Sequence, residues 1–363
     1  MDRDRPHTTE EAMTQHRQFL TRRDFGRVAA ATATVTVAAP RLARAAGELR
    51  IFTWEGYADK PWVEAFEAAT GAKVAVSYTG SVDEMFARMQ GSSGADFDVL
   101  AFDTGSFQRY VDQGLIQPLD PAKLPNRARL APAFQEVPEI VFDGRLMGVP
   151  FAWGSLPLVY DKAQFPDGPP DSWGVLWDPA NAQQIISLDD ANNCIVNTAI
   201  YLGFDNPYNL TDEQFETVKQ KLIDQKKLML TYFAGFDEGA NIFVENNIKA
   251  MFAMGETQYT MVKSKGVDAG MVIPKEGAIG WLDCWVISKG CRDLDLAHAW
   301  IDAQTTPEVG EHISRVYSYG NTTNVALNEE LGLTYADKLV WLQPPEDFEK
   351  RTRIWNEVKA API

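Results

Sequence analysis

At 363 residues the chain is long enough to bury a large core and to divide into two domains. A hydrophobic share of 45% and a charged share of 23% are those of an ordinary globular protein, and they exclude a disordered or fibrous chain. The formal net charge of −16 argues against nucleic acid or an anionic lipid surface as a partner and suits a cationic ligand.

The first segment reads as an address. Thr21-Arg22-Arg23-Asp24-Phe25 is a twin-arginine pattern, an uncharged Ala/Thr-rich run follows from Val28 to Pro40, and Ala43-Arg44-Ala45 supplies a small-x-small cleavage site. The apolar run is too short for a membrane span. Residues 1–45 are therefore expected to be a twin-arginine signal peptide, and the twin-arginine export machinery a partner. Their removal leaves 26 basic against 45 acidic residues, a net charge of −19. It also leaves two histidines, His298 and His312, and an odd set of cysteines, Cys194, Cys284 and Cys291, without a C-x-x-C pair. Cys284 and Cys291 flank an expected strand that would hold them roughly 20 Å apart, so all three read as small buried side chains rather than bridges.

Strand and helix alternate from Leu49 onward. Leu49–Thr53 alternates as a half-buried strand and ends in Trp54-Glu55-Gly56-Tyr57, ahead of an amphipathic helix over Pro61–Thr70. Lys73–Tyr78 is a second strand, and Ser81 with Glu84 forms a capping-box pattern opening a helix through Met89. Phe97–Phe102 is a near-continuous apolar run, as in a central parallel strand. It ends in Asp103-Thr104-Gly105-Ser106 before a helix from Phe107 to Gln113. This order predicts a doubly wound α/β sheet with Trp54 and Asp103 on one ligand-binding rim.

Prolines and polar residues fill 118–138, and Gly148–Gly154 is placed at a domain crossing near Trp153, with a strand over Leu156–Tyr160. A second unit repeats the design. The strand Ile185–Leu188 ends in Asp189-Asp190-Ala191-Asn192-Asn193, and a helix follows to Tyr201. Thr211 with Gln214 caps a charged helix to about Lys227. Ala240–Asn246 is a helix, Ala250–Met254 a strand with Gly255-Glu256 at its end, and Met271–Pro274 another strand. Gly280–Ile287, containing Trp281 and Asp283, reads as the return crossing. Helices over Leu294–Gln304, Pro307–Val316 and Asp347–Lys359 complete the chain, with a loop over Tyr319–Asn324.

Enzyme chemistry finds little support in these residues. His298 and His312 lie in amphipathic helices away from any nucleophile turn, zinc-ligand clusters are missing, and Gly91-Ser92-Ser93-Gly94 lacks the spacing of a phosphate loop. Paired-carboxylate hydrolysis using Asp103, Asp190, Glu256 or Asp283 stays open as the alternative from another class. Binding uses the same residues better. Carboxylates with Trp and Tyr rings at a cleft mouth attract an ammonium group by charge-assisted hydrogen bonds and cation–π contacts. Each residue also has a plain structural alternative. Asp103 and Asp190 are placed to cap helices, Trp54 and Trp281 to pack, and Glu256 to start a helix in solvent.

The words Phe52–Tyr57, Phe97–Leu100, Gly114–Asp120, Val149–Gly154, Leu188–Ala191 and Pro274–Asp283, in that order, resemble the extracytoplasmic spermidine/putrescine-binding proteins of ATP-driven uptake systems. The resemblance spans nearly the whole chain after residue 45. It implies a type II periplasmic-binding-protein fold, two doubly wound α/β lobes joined by a hinge, with lobe 1 over 46–153 plus 282–325 and lobe 2 over 154–281 plus 326–363. It implies that Trp54, Tyr57, Trp281 and Tyr319 sandwich the aliphatic chain of a polyamine, that Asp190 and Asp283 take its amino groups, and that Gln343 matches a family Gln. Glu55, Thr104, Trp153, Asn193 and Glu256 complete the expected site. No catalytic residue, metal or cofactor is expected. The implied partners are a small amine ligand and an inner-membrane ABC permease, with the protein a periplasmic monomer.

This chain also departs from the pattern. Asp103 stands where the family has Ser, Gly56 where it commonly has an acid, Asn193 in place of an acid, and Ala253 in place of a Trp. Those changes make a shorter diamine, a γ-amino acid or a quaternary amine competitors for a long triamine.

Overall fold

The structure is a computed structural model and describes residues 47–362; the expected signal segment lies outside the described residues. The chain begins with β1 (Glu48–Thr53), helix Lys60–Thr70, β2 (Lys73–Tyr78), helix Val82–Gly91, β3 (Val99–Asp103) and helix Phe107–Asp112. β1 runs parallel to both β2 and β3, the right start for a doubly wound sheet. Local chemistry sets the boundaries. Gly71, at φ 75, closes the first helix in the left-handed region. Ser81 caps the second by accepting from the Glu84 N–H at 3.1 Å. Glu84 turns instead to the Gly80 N–H, so the expected capping box is only half formed.

The short strands β4 (Ile116–Gln117), β5 (Val141–Phe142) and β6 (Arg145–Leu146) lead to β7 (Val149–Leu156) and β8 (Leu158–Asp161). Pro157 separates β7 from β8, which belong to different sheets. The second unit has β9 (Ile185–Leu188), helix Ala191–Tyr201, helix Asp212–Lys226, β10 (Thr231–Phe233) and helix Phe236–Glu245. It continues with β11 (Ala250–Phe252), helix Glu256–Ser264 and β12 (Ala269–Val272). Here the capping box is complete, with Thr211 and Gln214 each accepting from the other's backbone N–H. The chain returns through β13 (Ala278–Ser288) to helices Leu294–Gln304 and Pro307–Tyr317, β14 (Gly320–Asn321), helix Val325–Glu330, β15 (Leu339–Trp341) and helix Phe348–Ala360.

Two large sheets result. The first is eight-stranded in the order β14-β7-β13-β3-β1-β2, with β4 and β15 also paired to β13. The second is five-stranded in the order β10-β9-β11-β8-β12, parallel at β9 with its neighbours and antiparallel at β8. β13 and β7 pair along nearly their whole length, from Ile279 opposite Leu156 to Trp285 opposite Val149. The expected lobe boundaries at 153/154 and 281/282 therefore fall inside continuous strands of the first sheet. The chain passes between sheets around Pro157 and again between Val272 and Ala278.

The closing helix packs on helices Ala191–Tyr201 and Asp212–Lys226 of the second unit. It is tied there by the buried Arg351, which donates to Glu346, Asn192 and the Pro207 carbonyl. Cys194 and Cys284 are buried free thiols, while Cys291 is only half-buried. His298 is framework: its Nε2 accepts from the Asp120 N–H, and its Nδ1 faces the Leu294 carbonyl.

Candidate functional site

β13 carries the site. Residues two apart in a strand share a face, so Trp281 and Asp283 project together. Asp283 lies directly opposite Asp103 of β3, and opposed residues also share a face. The pairing of β13 with β7 shifts register between Asp283 and Cys284, a local irregularity of the kind that re-aims a side chain. Asp103 ends β3 at the same rim where β1 delivers Trp54 and Tyr57, since β1 and β3 are parallel.

Asp283 is 6% and Asp103 9% exposed. The Tyr57 hydroxyl donates to Asp283 Oδ2 at 2.7 Å, and the Ser106 hydroxyl donates to Asp103 Oδ2 at 3.1 Å. Both donors are neutral. Burial, with the Asp103 charge beside it, pushes the Asp283 carboxyl up to about 8 despite the Tyr57 bond. Burial also raises Asp103, against the pull of Arg109. Burial and the Asp283 charge hold the Tyr57 phenol well above its ordinary range, so it serves as a hydrogen-bond donor. Its ring is fixed edge-on against Phe151 at 4.9 Å.

Trp281 is half-buried and meets Tyr319 edge-to-face at 4.9 Å, while its Nε1 donates to the Ser155 carbonyl at 3.3 Å. The Tyr319 hydroxyl meets Thr257 Oγ1 at 2.6 Å, joining the segment before β14 of the first sheet to the helix that follows β11 of the second. Glu256 begins that helix and is 1% exposed, so it is not the solvated helix-start residue that the sequence also allowed. Its Oε1 accepts from the Ser155 N–H, the Ser155 hydroxyl and the Tyr335 hydroxyl, each at 2.7 Å. Its Oε2 is buried without a partner among the described residues, and burial raises its pKa.

Asp190 and Asn193 come from the second sheet. Asp190 does cap its helix, accepting from the Asn193 N–H at 2.7 Å. Burial pushes its carboxyl up to about 6 against that bond, with the charges of Asp83 and Asp103 adding to the rise. Asp190 is thus within reach of the Asp103 charge across the two sheets. The Asn193 Oδ1 and the Trp54 Nε1 are both buried without a hydrogen-bond partner among the described residues. Trp54 is half-buried and packs against the core clusters of the molecule.

Among the described residues, four other expected ones make no side-chain hydrogen bond to these acids and rings. Glu55 and Gln343 are exposed. Trp153 is framework: it is 2% exposed, its Nε1 donates to the Asn321 carbonyl, and its ring lies where a Gly320 side chain would stand. Thr104 holds the chain after β15, donating to the Leu342 carbonyl at 2.9 Å. Sequence reasoning missed Ser155, Thr257, Tyr335 and Tyr317. Ser155 and Thr257 each neighbour a residue that was singled out, whereas Tyr335 lies in a segment without periodic signal.

Gly56 has a specific structural cause. Its φ is +93°, and a Cβ there would stand 2.6 Å from the Tyr317 ring. The Tyr317 hydroxyl donates to Asp59 Oδ2 at 2.8 Å, and the same oxygen lies 2.7 Å from His312 Nε2. The space an acid would need is filled by that ring.

The sequence model of a family described as bacterial extracellular solute-binding protein matches residues 61–337. The chain is 27% identical over 358 residues to the putrescine-binding periplasmic protein PotF of Escherichia coli strain K12, covering 91% of this chain and 96% of that protein. It is 26% identical over 316 residues to the spermidine/putrescine-binding periplasmic protein of the same strain, covering 86% and 88%. It is 27% identical over 345 residues to the putrescine-binding periplasmic protein SpuD of Pseudomonas aeruginosa, covering 86% and 92%. Among solved structures, the spermidine/putrescine ABC transporter substrate-binding protein PotD of Streptococcus pneumoniae matches at TM-score 0.74 and 21% identity, over 86% of this chain and 99% of that one. AgtB of A. tumefaciens R10, solved with agropinic acid, matches at TM-score 0.63 and 18% identity, over 87% and 98%. At those identities the structures establish a shared fold, the two-lobed type II binding-protein architecture. The chain belongs to the bacterial extracellular solute-binding protein family, whose members bind a small ligand outside the cytoplasm and deliver it to a membrane permease.

Proposed function

We propose that this chain is the periplasmic receptor of an ABC uptake system for a small amine-bearing cation of the putrescine/spermidine class. The observation that carries the reading is the Asp103–Asp283 pair: two buried carboxylates side by side, each accepting from a neutral hydroxyl, Asp103 also from backbone N–H groups, and flanked by Tyr57, Trp281 and Tyr319. A buried carboxylate pair without a cation is unfavourable, and an ammonium group supplies both the charge and the donors it lacks. The relatives named for putrescine and spermidine support the same class. A zwitterionic amino acid needs a cation for its carboxylate. Arg109, whose charge acts on Asp103, pairs with Asp83 at 3.0 Å and lies over the Phe86 ring.

On this reading Tyr57, Asp103, Asp283, Trp281 and Tyr319 form the ammonium end, and Asp190 approaches from the second lobe as the lobes close. Closure follows the ligand's differential affinity for the closed state. Residues 1–45 direct export by the twin-arginine route, and the protein works as a monomer with an inner-membrane permease. The test is a thermal-shift and calorimetric screen of the purified protein against diamines, triamines, amino acids, betaine and sugars. Stabilisation that grows with ligand concentration, and only with primary amines, supports the reading. A response confined to sugars, betaine or amino acids overturns it.

A further inference from the structure

Two adjacent acids at the end of β9 are held differently. Successive side chains of an extended chain point to opposite sides. The Asp189 N–H continues the ladder to the Phe233 carbonyl at 2.7 Å, and its carboxylate meets the closing helix: Oδ1 accepts from Trp355 Nε1 at 2.7 Å and from Lys359 Nζ at 2.9 Å. Asp190 is bonded to no cation among the described residues. Its Oδ1 accepts from the Asn193 N–H, and the Asp103 charge reaches it from the first sheet. We propose that the closing helix Phe348–Ala360 positions the Asp190 turn, with Arg351 and Trp355 as positioning residues that hold Asn192 and Asp189 so that the carboxylate between them is presented to an amine. This deepens the proposed function and rests on its reading of Asp190 as the acid that approaches from the second lobe.

The grip comes from one stripe of the helix. Arg351, Trp355 and Lys359 recur at the spacing that places residues on one helix face. Arg351 Nη1 donates to Asn192 Oδ1 at 2.9 Å, so the helix holds the turn on both sides of Asp190, at Asp189 and at Asn192. The grip is itself anchored. Arg351 Nε and Nη2 donate to Glu346 Oε2 at 2.9 and 2.7 Å, and Nη2 also donates to the Pro207 carbonyl at 2.9 Å. Glu346 Oε1 accepts in turn from the Leu210 N–H at 2.8 Å. The Trp355 ring is fixed edge-on against Tyr232 of β10 at 5.0 Å.

Packing alone does not call for these groups. Ile354 and Val358 already bury apolar surface of the helix. A guanidinium that is 1% exposed and an indole that is 3% exposed carry desolvation costs that aliphatic side chains would avoid. Both spend their donors on the residues that flank Asp190. A carboxylate that is to meet an ammonium group must be held to within about half an ångström of its place, by neighbours whose own positions are locked. The strand end gives Asp190 its direction, the helix cap takes its Oδ1, and the closing helix fixes its two flanks. Asp189, the acid with a cation, thereby holds in place the acid without one.

The test is a double-mutant cycle on the purified protein, read by titration calorimetry with 1,4-diaminobutane. Trp355→Phe keeps a ring against Tyr232 and deletes the N–H that holds Asp189. Asn192→Ala deletes the Arg351 contact and leaves the Arg351–Glu346 pair in place. Each change should weaken the diamine about three- to tenfold in the wild-type background. Each should leave it unchanged in an Asp190→Asn background, which keeps the cap but lacks the carboxylate being positioned. A merely structural role gives equal losses in both backgrounds. Equal losses, or no loss in either single variant, overturn the inference while leaving amine binding in place. An Asp190→Asn protein that binds the diamine as tightly as the wild type overturns it together with its premise about Asp190. A wild type that binds no amine overturns the proposed function instead. Should Trp355→Phe fail to fold, the same comparison with Asn192→Ala decides.

Discussion

Asp98 and Asp103 belong to the same run of chain around β3, five residues apart, and are held in opposite electrostatic states. Burial works against Asp98, yet the Arg50 guanidinium, bonded at 3.0 and 2.8 Å, and the Arg292 and Arg50 backbone N–H groups bring its carboxyl below the usual range. Asp103 has a hydroxyl where Asp98 has a guanidinium, and burial raises it. One end of the strand is a satisfied structural clamp. The other end, beside Asp283, is a charge deficit that a ligand can fill.

The first prediction concerns the ligand-free protein. An unfolded carboxyl titrates near pH 4, whereas folded Asp283 is pushed up to about 8. Between those values the folded state holds a proton that the unfolded state has released, so stability falls as pH rises through the window. Below it both states are protonated and the group contributes no slope. Asp190, pushed up to about 6, and Asp103 act in the same direction. Urea melts from pH 5 to 8 should show a falling midpoint, with Asp283 alone contributing at most about 1.4 kcal/mol per pH unit. Asp283→Asn should flatten the profile, and an equal slope in both proteins would contradict the assignment.

Binding should run the other way. An ammonium needs the ionised pair, so amine affinity rises with pH up to about 8, and each binding event near neutrality releases protons to the buffer. Calorimetry in buffers of different ionisation enthalpy measures that release. Asp103→Ser removes the charge that helps to raise Asp283, so it should weaken amine binding by about 1 kcal/mol or more and move the midpoint of the affinity profile to lower pH. An unshifted midpoint would mean that the Asp103 charge does not raise Asp283.

Much of the frame was legible in the sequence because its signals are local. Strand Lys73–Tyr78, strand Ile185–Leu188, helix Leu294–Gln304 and the Thr211 capping box have the bounds or chemistry that periodicity and capping rules predict. The β10, β14 and β15 strands were not legible. Each is two or three residues long and is defined by its partner strand rather than by its own pattern. The site divides the same way. Acids and aromatics at strand ends could be named from the residues and the resemblance, but the saturation of only one Glu256 oxygen depends on Ser155 and Tyr335, which are distant in sequence. Gly56 shows the limit most clearly. Its departure from the family acid reads as a change of specificity until the Tyr317 ring is seen in the space.

That ring yields a prediction about stability. Gly56→Asp meets both an unfavourable backbone, at φ +93°, and the Tyr317 ring 2.6 Å from its Cβ. It should destabilise the fold by about 2–4 kcal/mol, the strain and overpacking costs combined. Adding Tyr317→Ala relieves the clash but not the backbone, so thermal unfolding of the double variant should recover only part of the loss relative to Tyr317→Ala alone. A Gly56→Asp protein as stable as the wild type would show that the turn relaxes freely.

The Tyr319–Thr257 contact ties the two lobes directly, at 2.6 Å, and Tyr319 is also the ring that braces Trp281. Burial places the Tyr319 phenol above its ordinary range, so the bond persists at any working pH. A hydrogen bond across a closing cleft contributes about 0.5–1.5 kcal/mol. On the reading that the lobes close around the ligand, its loss should appear mainly in the rate of ligand release. Tyr319→Phe keeps the ring contact with Trp281 and removes the bond; Thr257→Val removes the same bond from the other side. Both variants should release an amine about two- to tenfold faster in stopped-flow exchange, with association nearly unchanged. The double variant should be no faster than either single one, since both changes delete one interaction. Additive effects would mean that each residue acts on the ligand separately, and the contact would then be a neighbour of the latch rather than the latch itself.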